Sequence, residues 1–132
     1  MTAEQALADL TEISSQVEAA ALFDSKGKVA ASTLSESEPF VRAVQDLLAA
    51  ATEARQGSLN QLEASTADGS VFVVREGDEY IAATTGPEPT VALVFYDLKT
   101  ALRAAVAEAG EKKAAPRRRA PKKKPEGDGD AA

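Results

Sequence analysis

The 132-residue chain has no histidine, no cysteine and no tryptophan, and aromatic residues make up only 5% of it. Each absence excludes a class of chemistry. Without His or Cys there is no Ser-His-Asp triad and no Cys-His nucleophile. A Cys/His zinc site is equally excluded, so any metal would be held by oxygen alone. No disulfide can form, which fits a reducing compartment. Long apolar runs are also missing: Ala19 to Phe23 and Val91 to Tyr96 are far too short to span a bilayer. The first residues, Thr2 to Asp9, are polar and acidic, without the basic start and apolar centre of a signal peptide. The expectation is a cytoplasmic protein that does not insert into a membrane.

Charge of one sign is scarce in the first part of the chain. Residues 1–110 carry 7 Lys+Arg against 17 Asp+Glu, a net −10, whereas residues 111–132 carry 8 against 4, a net +4. The overall −6 therefore conceals an acidic domain and a basic arm. The expected division is a folded domain over 1–110 and a disordered Pro/Ala/Lys/Arg tail over 111–132. The tail has no apolar residue larger than Ala and is interrupted by Pro116, Pro121 and Pro125, so burial cannot offset its ordering entropy. A domain of about 110 residues buries roughly two-thirds of its unfolded surface, enough for a core of Leu, Val and Ala.

The patterning within that domain alternates between helix and strand. Thr2-Ala3-Glu4-Gln5 matches a capping box, and Ala6, Leu10, Ile13 and Val17 recur at helical spacing. Ala19 to Phe23 reads as a buried strand, Asp24-Ser25-Lys26-Gly27 as a turn, and Lys28 to Ser32 as the returning strand of a hairpin. Ser37 is placed to cap a second helix, with Glu38 and Pro39 in its first turn, running to about Gln56 and stopping at Gly57. Phe40, Val44, Leu47 and Ala51 form one face of this helix; Val41 and Leu48 belong to a neighbouring face interrupted by Gln45 and Thr52. So broad a stripe suggests burial on two sides. Three strands follow, Leu59–Ala64, Val71–Val74 and Tyr80–Thr84, joined by Asp68-Gly69 and Glu76-Gly77-Asp78 turns. Taken alone, Val91 to Tyr96 could be a strand, but its helical period continues through Lys99 to Ala109 without a turn, which favours a last helix from Thr90 to Gly110. The fold class is therefore α+β, in the order helix, strand, strand, helix, strand, strand, strand, helix. It predicts a five-stranded antiparallel sheet with helices on both faces.

Few residues in this pattern point to catalysis. Ser25-Lys26-Gly27-Lys28 matches Ser-x-x-Lys, which serves catalysis only where a helix start brings Lys beside Ser; here it falls on a hairpin turn. Asp24, Asp78, Glu79 and Asp97 are explained by turns and caps without acid/base work. The domain has no Gly-x-Gly-x-x-Gly and no Gly-x4-Gly-Lys-Ser/Thr, and EF-hand spacing is absent, so no cofactor and no metal is implied. Arg42, Arg55, Arg75 and Arg103 read as surface residues rather than as arginine fingers.

One family has this arrangement. Val17-Glu18-Ala19-Ala20-Ala21-Leu22-Phe23-Asp24-Ser25-Lys26-Gly27-Lys28-Val29-Ala30-Ala31-Ser32 resembles the opening of the Roadblock family, the dynein light-chain Roadblock proteins and their bacterial relatives. The Ala-rich central helix, the three-strand meander and Leu93-Val94-Phe95-Tyr96-Asp97-Leu98-Lys99 also look like bacterial members. The resemblance covers about residues 3–108. It implies a Roadblock/profilin-like fold and a homodimer in which central helices pack together and the edge strands after them join. On that pattern Val41, Gln45, Leu48, Thr52 and Arg55 of the helix, with Leu59 and Gln61 of the following strand, are the dimer-interface candidates. It further implies a small Ras-like GTPase as partner. Some bacterial relatives accelerate GTP hydrolysis by ordering the GTPase's own switch loops, without inserting an arginine, while eukaryotic relatives are adaptors and scaffolds. The expected role is a non-enzymatic homodimeric regulator or scaffold of such a GTPase; the alternatives are a signalling adaptor with no GTPase partner, or a polyanion- or nucleic-acid-associated protein acting through the basic tail. The basic arm lies outside the resemblance. Its clusters Lys112-Lys113, Arg117-Arg118-Arg119 and Lys122-Lys123-Lys124 would attract nucleic acid or another anionic surface by counterion release, without base stacking.

Overall fold

The computed structural model describes residues 2–114. Their elements run α1 (Ala3–Ile13), β1 (Val17–Asp24), β2 (Val29–Ser32), α2 (Ser37–Arg55), β3 (Gln61–Thr66), β4 (Gly69–Glu76), β5 (Glu79–Thr85) and α3 (Val91–Ala114). The strands form one five-stranded sheet in the order β2-β1-β5-β4-β3, with every neighbouring pair antiparallel. The hairpin and the meander are local pairings. The sheet is closed by the long-range β1–β5 ladder, in which Ala20 opposes Ala83 and Ala21 opposes Ala82.

The two faces of the sheet carry separate cores. On one, α1 covers β1 and β2 while α3 covers β4 and β5. Leu7, Leu10, Leu98 and Leu102 meet Leu22, Phe72, Val74 and Ile81 there, and Phe72 packs edge-on against Phe95 at 5.0 Å. On the other, α2 lies over β1 and β2 and buries Val41 and Val44 against Ala21, Phe23, Val73 and Ala82. The four central alanines are all fully buried, and so short a side chain lets helices approach the sheet from both sides at once.

Several local expectations shift. The capping box at Thr2 and Gln5 forms, with both reciprocal hydrogen bonds present. However, α1 stops at Ile13, and Val17 is the first residue of β1 rather than the last of the helical stripe. Ile13 is left 72% exposed. Ser37 is the first residue of α2, not its cap; Glu36 holds that position without a side-chain hydrogen bond. The left-handed residue ending α2 is Gln56 (φ 58°), one position ahead of the expected glycine, with its N–H donating to Thr52 O at 2.7 Å. β3 begins two residues later than predicted, at Gln61. α3 is a helix throughout, not a strand at its start, and it continues through Gly110 to Ala114.

The hairpin turn has a specific organiser. Asp24 Oδ1 accepts from the backbone N–H groups of Lys26 and Lys28, both at 2.9 Å. The Lys28 hydrogen bond is the main reason that the Asp24 carboxyl sits below the usual aspartate range. Gly27 completes the turn at φ 85°, a conformation open to glycine.

Candidate functional site

The second core ends in an open rim. Phe40 and Leu48 of α2, Leu62 of β3, Val71 of β4 and Tyr80 of β5 pack against its buried residues but are only partly covered themselves. Tyr80 stacks on Phe23 with ring centres 5.4 Å apart and planes 6° from parallel. Leu62 opposes Val73, and Ala64 opposes Val71, so these four share the face on which α2 lies. Because α2 sits over the β1–β2 end, the β3–β4 end of that face is the less covered part. β3 is also one of the two outer strands of the sheet, and its sequence Gln-Leu-Glu-Ala-Ser-Thr contains neither Lys nor Pro. Such residues commonly blunt an exposed edge.

The interface candidates fall into three groups here. Val41 is 2% exposed and points into its own sheet, so it contributes to the core and not to an outer face. The helical pattern alone cannot tell those two directions apart. Gln45, Leu48 and Leu59 are half-buried. The Gln45 amide packs beside Gly27, where an added Cβ would come within 2.9 Å of it. Thr52, Arg55 and Gln61 are exposed. Leu48 thus lies at the rim with Leu62, Val71 and Tyr80, which sequence reasoning placed in strands but did not single out.

A second surface was missed altogether. Ile13, Val91, Leu93 and Tyr96 are the large apolar side chains most exposed among the described residues. Ile13 and Tyr96 flank a groove of about 310 Å³ between α1 and α3, which is also lined by Leu10, Ala101, Asp9 and Asp97. The helical spacing grouped Ile13 with Ala6 and Leu10 on an inner face. The signal against this lay in Ser14-Ser15, which ends α1 just after Ile13.

The remaining candidates show no catalytic arrangement. Ser25 and Lys28 stand on the hairpin turn, where the Ser25 N–H donates to Asp78 O at 2.9 Å. Arg42 and Arg55 are exposed, and Arg103 makes a 3.8 Å contact with Glu76. Among the described residues no three acidic side chains gather as a metal site. Nor is any helix long and apolar enough to cross a membrane. Lys112 and Lys113 fall in the last turn of α3; Arg117, Arg118, Arg119, Lys122, Lys123 and Lys124 lie outside the described residues.

Known structures share this architecture. A Roadblock/LC7 domain from Streptomyces avermitilis superposes with a TM-score of 0.73 at 13% identity, covering 83% of this chain and 99% of that one. This chain folds as a Roadblock-type domain. The Roadblock/LC7 likeness extends to the gliding protein MglB of Thermus thermophilus, with a TM-score of 0.70, 16% identity, and coverage of 81% of this chain and 87% of MglB. An MglB in a tetrameric arrangement gives 0.68 and 16%, covering 81% and 89%. No family model and no curated protein matches the sequence. At such identities the Roadblock likeness lies in the path of the chain rather than in particular side chains.

Proposed function

We propose that this Roadblock-type domain is a non-enzymatic homodimer that regulates or scaffolds a small Ras-like GTPase. The carrying observation is the continuity of two incomplete features: the half-covered rim of Leu48, Leu62, Val71 and Tyr80, and the open β3 edge beside it. A second copy related by a two-fold axis would cover the rim with the same residues and pair β3 with β3. The outward side of α2, where Ala43, Asp46, Ala49, Ala50 and Glu53 are exposed, is composed of small and charged side chains. It suits close helix approach with a polar margin. The likeness to MglB supports a GTPase as the partner. Regulation then follows from differential affinity: contacts made with only one nucleotide state draw the GTPase toward that state without any group transfer by this chain.

The first test is sedimentation of the full chain over about 1 to 100 μM, a span over which a moderately tight dimer dissociates measurably. The proposal expects a dimer that dilutes to monomer. A clean monomer throughout would overturn the dimeric reading. The basic run from Lys112 to Lys124 supports a further role in holding an anionic surface, expected as binding that weakens steeply with salt.

A further inference from the structure

The groove between α1 and α3 is a second incomplete surface of the domain. Its floor includes Leu10, Ala101 and Ala104, and its walls are Ile13 and Tyr96, which are 72% and 67% exposed. Gln16 Oε1 accepts from the Thr90 N–H at 2.6 Å, which ties the end of α1 to the start of α3. The two helices therefore run antiparallel, with the groove between them. Asp9 stands on its α1 side and Asp97 on its α3 side, and no Lys or Arg lines it. Along its whole length α1 carries Glu4, Asp9 and Glu12 without a basic residue. Arg103 of α3 makes its contact with Glu76 of β4 instead. A second copy of this chain fits the groove poorly. A two-fold axis there would set Asp9 and Asp97 against their own counterparts, and juxtaposed like charges cost affinity. The complementary occupant has small apolar residues beside a run of cations.

The chain contains such a segment in Ala120-Pro121-Lys122-Lys123-Lys124. Its tether has the right length. A helix rises about 1.5 Å per residue, so Ala104 lies about 15 Å back along α3 from Ala114, and Tyr96 about 27 Å back. Pro116 cannot continue the helix, and a chain punctuated by prolines advances about 3.1 Å per residue. About five residues beyond Ala114 therefore reach back to the level of Ala104, and about nine to that of Tyr96. A tail returning along α3 brings residues 120–124 level with the groove.

We propose that the basic tail docks on its own domain, with Ala120 and Pro121 in the α1–α3 groove and Lys122 to Lys124 against Asp9 and Asp97. Proline-rich segments dock in aromatic-lined grooves because they lose little conformational entropy, and Tyr96 supplies the aromatic wall here. Tethering raises the effective concentration to roughly millimolar, so contacts that are weak one by one suffice. While docked, these lysines are withheld from any outside anionic surface, so the two uses of the tail exclude each other. The contact stands apart from the GTPase reading and does not rest on it.

The test uses the full chain, in which the lack of cysteine makes Ala120→Cys a unique attachment point for a nitroxide spin label. In a two-dimensional amide NMR spectrum the label broadens the signals of residues near it. Broadening is expected to be strongest at Leu10, Ile13, Tyr96 and Thr100, and weak on α2 across the sheet. A mixture of labelled, unenriched chains with unlabelled, isotope-enriched chains should show none of it, because the contact lies within one chain. The double variant Asp9→Asn/Asp97→Asn removes two carboxylates that belong to neither core. It should lower the ratio of docked to free tail by about fivefold, since two surface ion pairs are lost. Broadening spread evenly over the acidic surface, confined to the end of α3, undiminished in the double variant, or present in the mixture would overturn the docking.

Discussion

Leu62 stands half-buried on β3, opposite Val73 and beside the open rim of the second core. Its truncation distinguishes a completed rim from an open one. Leu62→Ala removes three carbons, each about 0.8 kcal/mol when fully covered, or about 2.4 kcal/mol in all. At half coverage a monomer should lose about 1.2 kcal/mol. If a second copy covers the remainder, a further ~1.2 kcal/mol is lost on each side, about 2.4 kcal/mol per dimer, or roughly a 50-fold weaker dimer. Sedimentation equilibrium reads the dimer constant, and urea unfolding at two protein concentrations reads the monomer contribution. The reasoning is refuted if Leu62→Ala costs the fold its ~1.2 kcal/mol but leaves the dimer constant within about threefold of wild type.

Other expectations concern the cores and turns. Phe72 is fully buried against Phe95 in the larger core. Phe72→Ala should therefore cost about 3–5 kcal/mol in urea unfolding, and a loss near 1 kcal/mol would contradict the packing described. At Gly69 an added Cβ would lie 2.1 Å from the Thr85 carbonyl oxygen. Gly69→Ala must therefore push β4 from β5, costing about 1–3 kcal/mol or more; an unchanged midpoint would refute that contact. The Asp24 carboxyl titrates below the ordinary aspartate range because backbone N–H groups hold its ionised form. Its folded pKa is thus lower than its unfolded one. The stability it contributes is complete above the unfolded pKa and is lost as pH falls through the folded value. The stability gap between wild type and Asp24→Asn should accordingly close in acid, and a gap that widens there would refute the assignment.

The parts of this fold that were legible are those whose signals are local. Thr2 and Gln5 satisfy each other's backbone across one turn, and Asp24 with Gly27 builds a hairpin within a few residues. What was not legible depends on partners far along the chain. Nothing near Ala20 or Ala83 indicates that they oppose one another at the sheet's centre. Val17 continued the helical spacing of Ala6 and Leu10, but its pairing with Thr85 made it strand. Gly57 was the natural stop for α2, yet Gln56 took the left-handed turn. The same limit applies to surfaces. Val41 and Leu48 lie on one helix, and only the position of α2 over β1 and β2 makes one core and the other rim. The α1–α3 groove needs two distant helices before Ile13 and Tyr96 can meet.

In the role proposed, this Roadblock-type domain acts on a small Ras-like GTPase through surface contacts alone. The decisive experiment is a calorimetric titration of the full chain against a small Ras-like GTPase from the same organism, loaded either with GDP or with a non-hydrolysable GTP analogue. A regulator that favours one state must bind that state more tightly, and a shift large enough to act on needs a preference of about tenfold or more. A preference of that size for one loaded form is expected. Equal affinity for the two loaded forms, or binding to neither, would contradict it.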